Sequence, residues 1–325
     1  MKMHDKNVIA IGGENLIDTV LTFSPDGKEV RTDNLGGSPY NVAVAMARQG
    51  QKPYFITPIS TDDFGDQLFE NLKTQGVHPF GQRRIEPTTQ AIVTIRNGIP
   101  SYTFHREGTA ERCVSMSSIR ATLPDQLTHF HLGSLALVGG EDTAVWEEIF
   151  HALAKEGIAT SLDPNVRPSL ISEPELYRER MKRLFKSATI VKLSDEDLAW
   201  LYPDVTQTEA IECLKEDSNA SFIALTKGPE GAECWTSKIH CVMPNAFSPN
   251  IIDTIGAGDT FMATILSYLA EQNKLSANWF ETADKLDLSM LLERALCAAC
   301  LNCEQEGCEP PTTTSIETAI QSIGI

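Results

Sequence analysis

Chemistry in this chain concentrates first in Asp253-Thr-Ile-Gly-Ala-Gly-Asp-Thr-Phe261, which runs into a helical stretch from Met262 to Glu271. Gly256 and Gly258 let backbone N–H groups turn inward at a helix N-terminus, where the helix dipole favours an anion. Such a nest can hold a phosphoryl group while charge builds on its oxygens. Asp259, in the first turn beside the nest, is placed to take a proton from a hydroxyl attacking phosphorus. A Gly-x-Gly at a helix start also serves plain packing, and Asp is a frequent helix cap there. A second reactive group is Cys297, Cys300, Cys303 and Cys308, among eight cysteines in all. Their spacing has the look of an iron–sulfur or zinc site. The Ala-rich stretch Glu293 to Gln305 reads instead as a helix. Cys297, Cys300 and Cys303 then lie near one face as small packing groups.

These residues need a frame. Val8 to Ile11, followed by Gly12-Gly13, predicts a buried strand ending in a turn. Ser38 to Gln49 predicts an Ala-rich helix with Ser38 as N-cap, Pro39 in its first turn and Gly50 as its stop. Tyr54 to Ile59 predicts one strand and Phe64 to Gln75 a helix. Pro25-Asp-Gly27 predicts a turn between two strands, and Asn97-Gly98 a hairpin joining Thr89–Arg96 to Ser101–Arg106. From His129 onward, short apolar strands alternate with helical stretches, the pattern of a parallel sheet covered on both faces. A meander over Ala232 to Val242 precedes the helix Ala257 to Glu271. No repeat or low-complexity linker interrupts the 325 residues. The expectation is one α/β domain over 1–325, with segments of about 14–36 and 88–107 forming a small sheet at one edge.

Composition narrows the function classes. The chain is 42% hydrophobic and 22% charged, an ordinary globular balance. Lys and Arg number 27 against 44 Asp and Glu, a net charge of -17. That excludes a general nucleic-acid binder, which needs a basic face, and any anionic ligand needs a local positive site. No apolar run reaches the roughly 18 residues of a membrane span. No export signal is visible and the cysteines do not form a disulfide scaffold, so the cytoplasm is the expected compartment.

Asp253 to Phe261 resembles the C-terminal signature of the ribokinase (PfkB) family of carbohydrate kinases. Gly36-Gly37-Ser-Pro-Tyr-Asn41 through Arg48-Gln-Gly50 resembles its N-terminal signature. Gly13–Asp18, Phe104–Ala110, Asp163–Pro168 and Lys192–Glu196 resemble the fructokinase branch. The resemblance implies a central mostly parallel sheet flanked by helices, with a β lid over a sugar site. It implies transfer of the ATP γ-phosphoryl to a sugar hydroxyl, D-fructose to fructose 6-phosphate being the first expectation. Mg²⁺ assists, and in many members a monovalent cation such as K⁺. Asp259 matches the catalytic base, and Gly256, Ala257 and Gly258 the anion hole. Asp18, Gly37 and Asn41 match sugar contacts, and Arg106 and Arg167 positions at the sugar or phosphate end. Thr226 and Gly228 match the nucleotide loop, and Asp253 with the Ile255 carbonyl the monovalent-cation ligands.

The chain departs from the pattern in two places. Many members carry an Asn-x-x-Glu motif that organises Mg²⁺ and phosphate. Here Ser194 and Asp197 stand there, and Asp is one methylene shorter. Leu296 falls near the position of an adenine-side Asn. Lys192, just before a helix, reads as a salt-bridging residue. Rival readings are a 2-keto-3-deoxygluconate kinase or ribokinase, a sugar-binding regulator, and a metal protein built on the cysteine helix. An acid sugar would call on Arg106 with Arg167. The open edges of the lid strands point to a homodimer.

Overall fold

Side chains alternate along the central strands between two hydrophobic cores. Ile9 and Ile11 belong to one and Ala10 to the other; Phe222 and Ala224 belong to the first, Ile223 and Leu225 to the second. That period of two, buried on both sides, is what a sheet sandwiched between helices requires. The computed structural model describes residues 7–23, 28–96 and 99–323. Nine strands form its main sheet. Their order is His240–Pro244, Gly231–Trp235, Phe222–Thr226, Ile190–Ser194, Ala159–Asp163, His129–Gly133, Ile9–Ile11, Tyr54–Phe55 and His78–Pro79. All neighbours pair in parallel except Gly231–Trp235, which is antiparallel to both its neighbours.

The chain starts in the middle of this sheet, at Ile9–Ile11, builds outward on one side and then returns to build the other. The strand order therefore reverses between Ile9–Ile11 and His129–Gly133. Ligands of open α/β sheets bind outside the carboxyl ends of strands at such a point. Gly12-Gly13-Glu14, Gly133-Ser134, Asp163, Ser194 and Thr226 all lie at those ends.

A second, four-stranded sheet has the order Glu29–Gly36, Leu16–Phe23, Thr89–Arg96 and Ile99–His105. It is the small sheet expected from segments 14–36 and 88–107, with Glu29–Gly36 and Ile99–His105 as its edges. The turns at Pro25-Asp26-Gly27 and Asn97-Gly98 lie outside the described residues. The single strand expected over Tyr54 to Ile59 is two. Tyr54–Phe55 joins the main sheet, whereas Ile59–Ser60 pairs with Arg83–Arg84. Pro58 has no N–H for the ladder, and Thr57 between them spends its hydroxyl on the Gly13 N–H at 2.9 Å.

Two helices build the floor of the site. Ser38–Arg48 buries every residue from Ser38 to Met46. Ala257–Glu271 packs against it, and its first turn carries Asp259. The expected cap is corrected: the N-cap is Gly37, which has no side chain to offer, and Ser38 is the first helical residue. The cap's work is done from a distant strand end, where Glu14 Oε1 accepts the Ser38 N–H at 3.0 Å. The cysteine helix spans Lys285–Cys303 and packs on Ala257–Glu271.

Candidate active site

Asp259 is buried and fully engaged. Its Oδ1 accepts from Ser38 Oγ at 2.6 Å and its Oδ2 from Asn41 Nδ2 at 2.8 Å. Neither oxygen caps its own helix, whose N-cap is Gly256. Burial pushes the Asp259 carboxyl up, against the two hydrogen bonds and the nearby charges of Lys192 and Arg167, which pull it down. A carboxylate so raised is a better base near neutral pH. Gly256 takes the left-handed conformation at φ 75°, and a Cβ there would strike Cys308 Sγ. Only glycine serves at this turn.

Around this floor lies a cleft of about 360 Å³. Asp18, Gly37, Asn41, Arg167, Ile255, Gly256, Gly258 and Asp259, all singled out in the sequence, are brought together along it. Val20, Val93 and Phe104 from the second sheet close it on one side, so that sheet stands over the cleft. Burial raises the Asp18 carboxyl to about 6, with Arg167 lowering it and Asp259 raising it. Beside the cleft is a second pocket of about 450 Å³. Thr226, Gly228 and Ala257 line it with Asn245, Phe247, Leu296 and Cys300. Thr254 and Gly258 are common to both, so the two compartments meet at the nest.

Other expected residues are not brought there. Arg106 lines neither compartment. Its Nε donates to Glu111 at 2.8 Å, one terminal nitrogen to the Val138 carbonyl at 2.8 Å and the other to Asp142 at 3.3 Å. It is the centre of a buried ion network, because a guanidinium this deep needs all its donors satisfied. Ser194 and Asp197 do not fit a magnesium site. Ser194 is the N-cap of Asp195–Leu201 and Asp197 its reciprocal capping-box partner. Asp197 spends Oδ1 on the Val166 N–H at 2.8 Å and Oδ2 on the Ser194 N–H at 3.0 Å. Asp253 likewise accepts from the N–H groups of Ile255 and Gly307, both at 3.0 Å. The Ile255 carbonyl accepts from Asn302 Nδ2 at 2.7 Å, so the oxygens expected to hold a monovalent cation face protein donors. Among the described residues no group of three or more His, Cys, Asp or Glu is arranged to hold a metal.

The cysteines do packing work. Cys297 is buried against Ile316 of the last helix, and Cys300 sits 3.4 Å from Asn245 Nδ2. Cys308 is apart from them, in the cleft.

Four residues at the site escaped sequence reasoning. Ser38 was hidden by its resemblance to a cap. Glu14 and Asn165 line the cleft from strand ends. Glu14 is buried, which raises its carboxyl to about 7, and its Oε2 has no partner. Lys192 carried the clearest signal, a charge inside the apolar run Ile-Val-Lys-Leu; such a charge must find a buried partner. It has one in Asp163, Oδ2 at 2.9 Å. Burial opposes its charge, but the carboxylates of Asp163, Asp197 and Asp259 outweigh burial and hold its pKa up.

The model of the pfkB family of carbohydrate kinases matches residues 17–315. The chain belongs to that family. This pfkB-family kinase is 32% identical over 275 residues to a fructokinase of Rhizobium leguminosarum bv. trifolii, covering 84% of this chain and 83% of the relative. Its fold matches that of a fructokinase with bound ATP from Xylella fastidiosa at a TM-score of 0.87 and 25% identity, over 98% and 99% of the two chains. An aminoimidazole riboside kinase from Salmonella enterica shares the fold at a TM-score of 0.81 and 22% identity, over 97% of this chain and 100% of that one. The kinase thus has a fold that accommodates more than one acceptor, and the acceptor must be argued from the cleft. None of its described helices is long and apolar enough to cross a membrane.

Proposed function

We propose that this kinase transfers the γ-phosphoryl of ATP to D-fructose, giving fructose 6-phosphate and ADP. One observation carries the reading: Asp259, held by Ser38 and Asn41, sits where a cleft bearing carboxylates meets a larger and more apolar pocket. The sugar occupies the cleft, with Asp18 accepting from its hydroxyls. The nucleoside lies along Thr226, Gly228 and Phe247, with its phosphates pointing at the nest. Asp259 takes the hydroxyl proton as the oxygen attacks phosphorus. The N–H groups at Gly256 and Gly258 meet the charge spreading over the phosphoryl oxygens, and that of Ala257 joins them by giving up its long 3.3 Å bond to the Thr254 carbonyl. The second sheet excludes water that would otherwise compete as acceptor. A divalent ion would come on the nucleotide's phosphates rather than on Ser194 or Asp197.

The cleft favours a neutral sugar. Asp18, Glu14 and Asp259 all line it, and Arg106 is turned away to Glu111 and Asp142. Of the two arginines an acid sugar would call on, only Arg167 lines the cleft. The test is initial-rate ATP consumption with D-fructose, 2-keto-3-deoxygluconate, D-ribose and D-glucose side by side. Fructose is expected to give the highest kcat/KM. A preference for 2-keto-3-deoxygluconate would overturn the acceptor and leave the phosphoryl transfer standing.

A further inference from the structure

Lys192 comes up through the floor of the site from the strand Ile190–Ser194 and is 3% exposed. Its ammonium carries three N–H donors. The structure assigns one to a protein acceptor, Asp163 Oδ2 at 2.9 Å. On another side it meets the nest itself. A Cβ on Gly258 would lie 2.9 Å from Lys192 Nζ, so that glycine is what lets the cation approach. Gly258 is also one of the two residues that the cleft and the nucleotide pocket share. A compact positive charge with unassigned donors therefore lies against Gly258, just behind the surface where acceptor and donor would meet, and lines neither compartment itself.

We propose that Lys192 is a catalytic residue of the phosphoryl transfer, its ammonium donating to the non-bridging oxygens of the migrating phosphoryl group. The inference rests on the kinase reading above. The sugar oxygen forms its bond to the γ-phosphorus while the bond to the β–γ bridging oxygen breaks. The electron pair of the broken bond leaves on ADP, and the hydroxyl proton goes to Asp259. Through this exchange negative charge is spread over the three equatorial oxygens. Backbone N–H groups supply partial charges there; Lys192 supplies a whole one, in a chain whose net charge is -17. Lysine suits the task as a point charge on a flexible stem, and Asp163 holds that stem in place.

The alternative is that Lys192 only neutralises Asp163. Lys192→Met alone leaves that carboxylate buried and unpaired, and the variant is at risk of unfolding. The decisive variant is therefore Lys192→Met with Asp163→Asn, which removes both charges, measured beside Asp163→Asn and wild type. The readouts are kcat, KM for sugar and for ATP, and the melting midpoint. The double variant is expected to fold and to keep its sugar KM within about threefold. Its kcat should fall about 10²–10³-fold, the loss seen when one preorganised donor to a developing anion is removed. Asp163→Asn, which keeps the ammonium, should lose clearly less. A double variant within about fivefold of wild-type kcat would overturn the proposal, and so would Asp163→Asn as slow as the double. Wild type inactive on every sugar of the panel would instead overturn the kinase reading and this proposal with it.

Discussion

The proposed base is defined by what holds it. Asp259 receives one hydroxyl and one amide donor from Ser38 and Asn41, more than two hundred positions earlier. Its own segment was legible because nest, helix and carboxylate are contiguous in sequence. Its supports were not, since nothing local in Gly37-Ser-Pro-Tyr-Asn41 says that two of these side chains point at residue 259. Asp259→Asn keeps the geometry: the new amide can donate to Ser38 Oγ while its oxygen accepts from Asn41. It cannot take a proton. Steady-state kinetics should show kcat down about 10²–10⁴-fold, with sugar affinity and melting midpoint little changed. A normal kcat would remove Asp259 from the mechanism. Glu14 gives a prediction with a pH sign. Its folded pKa, about 7, lies above its ordinary 4.5. The stability tied to its neutral carboxyl is therefore full below about pH 4.5 and lost as pH rises through 7. The loss is at most about 3–4 kcal/mol, taking about 1.4 kcal/mol per pH unit. Glu14→Gln stays neutral and keeps the acceptor for the Ser38 N–H. Its melting midpoint should gain on wild type between pH 5 and pH 8; an unchanging gap would mean that Glu14 does not titrate in that range.

Elements explain why some expectations placed residues wrongly. Arg106 comes directly after the strand Ile99–His105, and from sequence it faces the cleft as readily as the interior. What decides is the short 3-10 turn Ala110–Arg112 and the helix Glu141–Lys155, which bring Glu111 and Asp142 to it. Neither carboxylate is near Arg106 in any pattern a periodicity could reveal. Arg106→Met should therefore cost stability, about 3–5 kcal/mol, because it leaves Glu111 buried without its cation and Asp142 with Arg112 alone. Denaturant unfolding would read that loss. The sugar KM of the folded fraction should hold, and a large rise in KM with normal stability would return Arg106 to the cleft. The Ser194–Asp197 capping box shows the same limit. Ser-x-x-Asp before Leu198 is a helix-start pattern, and it accounts for Ser194 and for one oxygen of Asp197, while the other oxygen goes to the distant Val166 N–H.

At the scale of the whole molecule, strands and helices were legible from their periods, and the lid from its polar hairpin pattern. The order of strands was not, because pairing of Ile9–Ile11 with His129–Gly133 depends on packing across the sheet rather than on any local signal. The lid sheet reaches the cleft through Val20, Val93 and Phe104, side chains that a bound sugar would cover. Amide hydrogen exchange over Thr89–Arg96 and Ile99–His105 should slow when fructose is added; equal exchange with and without sugar would count against a lid that closes. The packing of Ser38–Arg48 on Ala257–Glu271 has a consequence for the chain as it is made. The earlier helix is almost wholly apolar on its covered faces, with Val42, Ala43, Ala45 and Met46 at 0% exposure. Its covering helix emerges roughly 220 residues later, about 10–45 s at usual rates of synthesis. Throughout that interval the ribosome-bound fragment carries a sticky helix covered only in part, by the early strands and the helix Asp63–Gln75. Yield in the cell should thus depend on chaperone supply, and a stalled or truncated product ending before Ala257 is poised to aggregate.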